Sequence, residues 1–139
     1  MGIFTLGRRV EYVDTDMAGI VHFTAYFRYM EAAEHAFLKS LGLSLMDPPG
    51  PKRVGWPRVA CAFDYRAPLF FDDVFDVRLR VQRIGRSSVT YHGEIVRGGQ
   101  VVAVGRSTCA CCRMSKGGKI RAVAIPAGIR KKLQKAKEE

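Results

Sequence analysis

The chain has 139 residues, of which 47% are hydrophobic and 26% are charged, and its formal net charge is +10. That length fits one domain of ordinary size, and that composition excludes a disordered, collagen-like or coiled-coil chain. No stretch approaches the ~20 apolar residues of a membrane span, so we expect no membrane partner. Residues 1–10 carry Arg8 and Arg9 and no long apolar run, so we expect no signal peptide and a cytoplasmic protein.

The positive charge is concentrated near the C-terminus. Residues 1–112 hold 14 basic and 11 acidic side chains, whereas residues 113–139 hold 9 basic and 2 acidic ones. A basic terminal segment can attract nucleic acid through phosphate contacts. Residues 115–139 contain no aromatic side chain on which a base could stack. We therefore expect no nucleic-acid partner. Nucleic-acid binding through the basic tail stays open as an alternative function.

The N-terminal part of the chain predicts a strand, a loop and a long helix. Residues 3–13 read as a strand, and residues 14–19 interrupt it as a polar loop that contains glycine. Residues 24–41 have a helical period, and Gly42 is a suitable residue to end the helix. The apolar side chains that recur at steps of three and four are Tyr26, Met30, Ala33, Phe37 and Leu41.

The rest of the chain predicts an antiparallel sheet. After a loop rich in proline and glycine over residues 43–57, the period of the apolar residues changes to two. The predicted strands are residues 59–65, 75–82, 89–95 and 102–114, with tight turns at Gly85-Arg86 and Gly98-Gly99. Residues 116–119 end the sheet, and residues 125–137 predict a short basic helix begun by Pro126.

This order of elements predicts an α+β fold. One long central helix wrapped by a curved antiparallel sheet of about five strands is the simplest packing that buries the helix. We divide the chain into a domain over residues 1–124 and a basic tail or short helix over residues 125–139. A single open sheet leaves an edge strand uncovered, so we expect at least a homodimer.

The four cysteines do not predict a metal site. They are Cys61, Cys109, Cys111 and Cys112, and three of them are too closely spaced, without a second pair, for a zinc site. We expect small buried side chains in strands of a protein from a reducing compartment, with no metal and no other cofactor.

The segment before the helix carries the chemistry. Asp14 and Asp16 lie in a loop close to the helix N-terminus, where unpaired N–H groups and the positive end of the helix dipole can hold an oxyanion. A carboxylate at that point can attack a carbonyl carbon or activate a water molecule. The chain has no Gly-x-Ser-x-Gly motif. The pattern indicates carboxylate-based acyl transfer, although Asp-x-Asp is also common in structural turns.

The same segment resembles the hotdog-fold acyl-CoA thioesterases, specifically the 4-hydroxybenzoyl-CoA thioesterase branch. The motif runs Val10-x-Tyr12-x-Asp14-Thr15-Asp16-x-Ala18-Gly19-Ile20-Val21 and precedes a helix that carries Tyr and Glu. Weaker matches follow in the same order at residues 64–69, 72–73, 84–88 and 102–105. The resemblance covers about residues 3–114. It implies a hotdog fold, hydrolysis of an acyl-CoA to free acid and CoA, and a homodimer or homotetramer.

The resemblance also implies roles for single residues. Asp16 matches the essential carboxylate of the family, which acts as nucleophile or general base on the thioester carbonyl. The oxyanion donor of the family is a backbone N–H seven residues later, which here belongs to Phe23. Asp14 is expected to shape the loop. His22 stands one place earlier than the histidine of many relatives. It is a candidate to contact substrate, to position water or to transfer a proton, or it satisfies the loop. Tyr26 is a second candidate to contact substrate.

The turn around Gly85 is implied to lie near the nucleotide end of CoA. The candidate CoA-binding residues are Arg83, Gly85, Arg86, Ser87 and Ser88. Arginine suits this role because its planar fork binds phosphate through two hydrogen bonds. Arg83 could equally be a solvated surface charge.

Three alternatives stay open on the sequence alone. Another hotdog thioesterase branch places its acid on the central helix, so Glu31 is an alternative acid, although a salt bridge on the polar helix face is favoured there. A hotdog dehydratase would need a catalytic histidine paired with an acid, which the sequence does not show. A module that binds acyl-CoA without turnover is the third alternative.

Overall fold

The computed structural model describes residues 2–115 and 117–139. Its strands and helices are β1 (Phe4–Arg9), α1 (Ala25–Ser40), β2 (Arg58–Tyr65), β3 (Val74–Ile84), β4 (Ser88–Arg97), β5 (Gln100–Ala110), β6 (Cys112–Met114), β7 (Ile120–Ala122) and α2 (Ala127–Glu138). Met1 of the predicted domain and Lys116 of the predicted 116–119 turn lie outside the described residues. No helix among the described residues is both long and apolar enough to cross a membrane.

Five strands form one antiparallel sheet in the order β1-β3-β4-β5-β2, and α1 packs against one face of it. The strand β3 buries every second residue against the helix, as the alternation of its sequence predicted; these residues are Phe75, Val77, Leu79 and Val81. The structure thus confirms the predicted α+β class, with one long helix on a five-stranded sheet.

The helix α1 follows the prediction to within one residue at each end. It covers Ala25–Ser40, against the predicted 24–41. It ends because Gly42 adopts a left-handed backbone with φ of 75°, a conformation that costs little only for glycine. The two predicted hairpins also form. Gly98 and Gly99 both have positive φ, as a two-residue turn between antiparallel strands requires.

Two predicted strand boundaries are wrong. The first strand ends at Arg9 and is followed by a 3₁₀ turn over Tyr12–Asp14, where the sequence predicted a strand to residue 13. The last strand, predicted as 102–114, breaks at Cys111. It breaks because the chain changes partners there: the Cys111 N–H donates to the Ser87 carbonyl, and Cys112 then pairs with Gly55 through two backbone hydrogen bonds.

The edge strand β2 is more exposed than its sequence predicted. Val59 is 63% exposed, and Cys61, which we expected to be buried, is exposed as well. Because β2 has a neighbour on one side only, an alternating sequence does not ensure burial there. The other three cysteines are buried, as expected.

The C-terminal helix α2 packs into the same core as α1. Ile129 and Leu133 are buried in the shared apolar cluster, while the basic residues of α2 that face away are exposed. The Arg130 guanidinium donates to the carbonyl oxygens of Gly85, at 2.6 Å, and Arg86, at 3.1 Å. The division of the chain at residue 124 stays a prediction, but α2 adds apolar side chains to the core.

We expect Leu133→Ala to lower the free energy of unfolding by about 2–5 kcal/mol, because it removes a fully buried side chain and leaves a cavity. Urea denaturation followed by circular dichroism measures the change. Lys131→Ala, at an exposed position of the same helix, is the matched control and should leave stability within about 0.5 kcal/mol. Equal stability of the two variants would show that α2 is not part of the cooperative unit.

Candidate active site

A short closed turn holds the Asp16 carboxylate just before α1. The Asp16 N–H donates to the Ile20 carbonyl at 2.8 Å, and the Gly19 N–H donates back to the Asp16 carbonyl at 3.0 Å. One carboxylate oxygen, Oδ1, accepts from the Ala18 N–H at 2.8 Å. Within residues 2–115 and 117–139, nothing donates to the other oxygen, Oδ2. The side chain is therefore fixed through one oxygen and leaves the second one available.

Asp16, Phe23 and Tyr26 line the same open cleft, of about 430 Å³. The structure thus brings together three residues that the sequence singled out. The other lining residues are Ile20, Val21, Tyr65, Arg66, Ala67 and Pro68. Tyr65 and Arg66 come from the end of β2 and the turn after it, and sequence reasoning missed them because β2 reaches this cleft only through the fold.

The backbone around Phe23 leaves one amide without a partner. The His22 and Ala25 N–H groups donate to backbone carbonyls at 2.8 and 2.9 Å, and the Thr24 N–H lies 3.3 Å from His22 Nδ1. The Phe23 N–H meets no hydrogen-bond acceptor in the described part of the chain. The carbonyl of Phe23, in the next peptide group, accepts from the Tyr65 hydroxyl at 2.8 Å.

The His22 ring supports the start of α1 and does not line the cleft. Its Nδ1 lies 2.7 Å from the Thr24 hydroxyl, and the ring stacks on Phe23 with centroids 4.7 Å apart. Of the roles that the sequence left open for His22, this placement favours the one in which the ring satisfies the loop.

Asp14 is buried and fully engaged. Its carboxylate accepts from the Glu11 N–H at 3.0 Å, the Tyr29 hydroxyl at 2.8 Å and the Arg28 guanidinium at 3.1 Å. Burial alone would raise the pKa of Asp14, but the three hydrogen bonds to the charged form outweigh it and hold the pKa below its ordinary value. Burial and the same carboxylate raise the pKa of Tyr29. These contacts suit the loop-shaping role expected for Asp14.

Tyr26 lines the cleft together with Tyr65 and belongs to a cluster of packed aromatic rings. Its ring centroid lies 5.0 Å from that of Tyr65, 5.9 Å from that of Phe63 and 6.0 Å from that of Tyr29. Burial raises the pKa of Tyr26, so its hydroxyl stays neutral at pH 7. The cleft therefore has an aromatic wall and one carboxylate at its mouth.

The turn around Gly85 does not line the Asp16 cleft. Arg83 and Arg86 are exposed, and the turn is closed by a hydrogen bond from the Gly85 N–H to the Ser88 carbonyl at 2.8 Å. The Arg86 carbonyl accepts from the Ile125 N–H at 2.9 Å, in addition to Arg130. The C-terminal segment thus holds this turn rigid and leaves both arginine side chains in solvent.

A second cavity, of about 290 Å³, lies near the C-terminal half of α1 and the start of β2. Its lining residues are Glu31, Glu34, His35, Leu38, Leu45, Trp56, Arg58, Tyr91, Cys109 and Leu133. Glu34 is only 3% exposed, and Arg58 Nη1 donates to its two oxygens at 2.8 and 2.9 Å. Burial raises the pKa of Glu34 although Arg58 opposes the shift.

Sequence reasoning missed the Glu34–Arg58 pair. The available signal was the position of Glu34, four residues after Met30 and three before Phe37, which places it on the apolar side of α1. Glu31, the alternative acid on this helix, is about half exposed, and its Oε2 lies 3.4 Å from Arg58 Nη2. Glu31 therefore forms a salt bridge, but with Arg58 of β2 and not with a residue of the polar helix face. Among the described residues, no group of three His, Cys, Asp or Glu side chains could hold a metal ion.

Comparisons with known proteins identify the family to which this chain is similar. The profile of the thioesterase-like superfamily matches residues 10–133. The 4-hydroxybenzoyl-CoA thioesterase of Pseudomonas sp. (strain CBS-3) is 30% identical over 129 residues, which cover 88% of this chain and 92% of that protein. The 1,4-dihydroxy-2-naphthoyl-CoA hydrolase of Synechococcus sp. (strain CC9605) is 34% identical over 105 residues, with coverage of 72% and 70%.

A solved structure shares the whole architecture. The crystal structure of an Asp-to-Asn mutant of 4-hydroxybenzoyl CoA thioesterase, complexed with 4-hydroxybenzoyl CoA, superposes with a TM-score of 0.86 at 25% identity. The match covers 96% of this chain and 99% of that one. This likeness confirms the hotdog fold that the sequence motif predicted.

We expect Asp14→Asn to lower the free energy of unfolding by about 1–3 kcal/mol at pH 7, because it weakens three buried hydrogen bonds. The pKa of Asp14 is lower in the folded state than in the unfolded state. Asp14 therefore makes its full contribution to the free energy of unfolding above the unfolded pKa of ~3.9. That contribution is lost as the pH falls through the pKa of the folded state. The deficit of the variant should therefore shrink below about pH 4.

Urea denaturation at pH 7, 4 and 3 measures this dependence. Asp76→Asn, at an exposed position of β3, is the control and should differ little from the wild type at each pH. A deficit of Asp14→Asn that is the same at pH 7 and pH 3 would contradict the assignment.

Proposed function

Because this chain belongs to the thioesterase-like superfamily, we propose that it hydrolyses an acyl-CoA thioester to a free carboxylic acid and CoA. The observation that carries the proposal is the arrangement in one cleft of the Asp16 carboxylate, with one oxygen available, and the Phe23 N–H at the start of α1. These are the groups that acyl transfer needs: an oxygen to attack or to activate water, and a donor for the oxyanion.

In this mechanism the thioester carbonyl oxygen accepts a hydrogen bond from the Phe23 N–H. This hydrogen bond becomes stronger as negative charge develops on the oxygen, and the positive end of the α1 dipole stabilises the same charge. Asp16 Oδ2 then attacks the carbonyl carbon, the C–S bond breaks, and water hydrolyses the resulting anhydride. Alternatively, Asp16 takes a proton from a water molecule whose oxygen attacks the same carbon. Both routes release the acid and CoA, and both need the same carboxylate.

Support for an aromatic acyl group comes from the cleft and from the relatives. Tyr26 and Tyr65 line the cleft and pack edge to face, and Phe63 packs tilted on Tyr26 and stacked on Tyr65. Aromatic rings so arranged can accommodate a further ring. The two curated relatives described above act on hydroxybenzoyl-CoA and dihydroxynaphthoyl-CoA by their names. We therefore place aromatic acyl-CoA thioesters first among the candidate substrates.

We also propose that the turn around Gly85 binds phosphates of CoA. Arg83 and Arg86 are exposed, and they lie in a turn whose carbonyl oxygens accept hydrogen bonds from Arg130. Ser87 and Ser88 add two hydroxyl groups to the same turn. The nucleotide end of CoA lies at a distance from the thioester, so its phosphates need not share the cleft of Asp16.

The active form is proposed to be a homodimer, or a tetramer built from dimers, in which two copies pair along β2. Residues 59–63 of this edge, Val-Ala-Cys-Ala-Phe, contain no charge and no proline to protect it from pairing. The opposite edge, β1, carries Arg8 and Arg9.

Asp16→Asn tests the catalytic assignment. We expect kcat to fall by about 10²–10⁴-fold on aromatic acyl-CoA substrates, because an amide neither attacks nor accepts a proton. The amide oxygen can still accept from the Ala18 N–H, so the thermal unfolding midpoint should stay close to that of the wild type. Release of free thiol measures turnover, and Asp76→Asn is the control. Turnover of Asp16→Asn close to that of the wild type would overturn the role of this residue.

Arg86→Gln tests the CoA-binding turn. We expect KM for an acyl-CoA to rise severalfold with little change in kcat, because the substitution removes a phosphate contact made equally in the ground and transition states. The same acyl group on pantetheine lacks the nucleotide, so its KM should not change. Lys131→Gln removes one positive charge elsewhere and serves as the control. An equal KM increase on both substrates would rule out phosphate recognition by Arg86.

A further inference from the structure

Arg66 is the one cationic side chain that lines the Asp16 cleft in the described part of the chain. It is exposed, and its guanidinium makes no hydrogen bond and no ion pair with any described residue. Arg97, by contrast, donates to the carbonyl of Pro68, another lining residue, and its charge is balanced by Asp73 at 3.1 Å. Arg66 therefore brings a positive charge to the cleft that no structural contact uses.

Hydrogen bonds hold the segment that follows β2 beside the loop that precedes α1. The Val21 N–H donates to the Leu69 carbonyl at 2.8 Å, and the Tyr65 hydroxyl donates to the Phe23 carbonyl at 2.8 Å. Arg66 lies between Tyr65 and Leu69 in the sequence. The backbone of Arg66 is therefore held next to the loop of the candidate active site, although its side chain is free to reach into the cleft.

The two opposite charges of the cleft do not neutralise each other. The Asp16 carboxylate and the Arg66 guanidinium line one cleft of about 430 Å³, but they are farther apart than the ~4 Å of an ion pair. Asp16 Oδ1 is instead held by the Ala18 N–H at 2.8 Å. A reacting group in this cleft can thus lie between a carboxylate and a guanidinium.

The reaction creates four groups around one carbon atom, and the cleft offers a partner for each. In the tetrahedral intermediate of thioester hydrolysis these groups are the oxyanion, the attacking oxygen, the acyl group and the sulfur. The proposed mechanism gives the oxyanion to the Phe23 N–H, the attack to Asp16, and an aromatic acyl group to the ring of Tyr26. The partner left for the sulfur is Arg66, whose positive charge suits the thiolate that forms when the C–S bond breaks.

We propose that Arg66 is a catalytic residue that stabilises the departing thiolate of CoA. The new C–O bond forms from Asp16 or from the water that Asp16 activates. The C–S bond then breaks, and its electron pair passes to the sulfur beside the Arg66 guanidinium. The thiolate takes up the proton that water loses during hydrolysis, so the products are the free acid and CoA. This inference rests on the proposed function.

The dependence of the rate on the leaving group tests this role. Arg66→Met removes the charge and keeps a long side chain. Thiol release is measured with enzyme in excess over substrate, so that cleavage of the C–S bond is observed directly. For benzoyl-CoA we expect the rate to fall by about 10–100-fold, the value of one hydrogen bond to a charged group. S-benzoylpantetheine should show the same fall, because it releases the same kind of thiol without the phosphates of the nucleotide.

A third thioester, S-(4-nitrophenyl) thiobenzoate, releases a thiol of much lower pKa. Such a thiol leaves readily without a cation beside it, so Arg66→Met should change this rate by less than about twofold. Arg66→Lys keeps the positive charge and should recover part of the rate on benzoyl-CoA. Arg78→Met, at an exposed position of β3 outside the cleft, is the matched control and should equal the wild type on all three thioesters.

A loss that depends on the leaving group supports the role of Arg66, and every other pattern overturns it. An equal fall on all three thioesters would show that Arg66 acts on the acyl group or the oxyanion. A fall on benzoyl-CoA alone would show that Arg66 binds a phosphate of CoA. An unchanged rate of Arg66→Met, with an active wild type, would refute this inference and leave the proposed function standing. A wild-type protein that releases no thiol from any acyl-CoA would refute the proposed function itself.

Discussion

The buried carboxylate of Asp14 is the constraint on which the candidate site depends. It ties the turn before Asp16 to the first two turns of α1 through Arg28 and Tyr29, and its own backbone carbonyl holds the His22 N–H. Asp16 and Phe23 are partly or largely exposed and make few contacts of their own with the core. Their relative position therefore follows from the Asp14 anchor and from the hydrogen bonds of the turn.

The features that could be predicted from the sequence are those set by local periodicity. The helix over residues 25–40 and the alternation of β3 follow from side chains a few positions apart, and so does the approach of Asp16 to the start of α1. Asp16 and Phe23 are seven residues apart, and only a turn separates them. That these two residues work as a pair was implied by the resemblance of residues 10–21 to the thioesterase family, and the short separation is consistent with their place in one cleft.

The features that could not be predicted depend on partners far along the chain. Arg58 meets Glu34 across 24 positions, and the break at Cys111 depends on Ser87 and Gly55. The exposure of Cys61 follows from the position of β2 at the sheet edge, which strand order decides and local sequence does not. The bulge that turns Arg58 toward the core is likewise visible only in the pairing with β5.

The surroundings of three carboxylates decide which of them can do chemistry. The Asp14 carboxylate is buried and accepts three hydrogen bonds that stabilise the loop. Glu34 is buried against Arg58, so reaction at its oxygens would first have to break a desolvated ion pair. Asp16 is held through one oxygen by Ala18 and reaches solvent. It is also the one of the three that shares a cleft with the Phe23 amide, which is why we propose it as the residue that carries out acyl transfer.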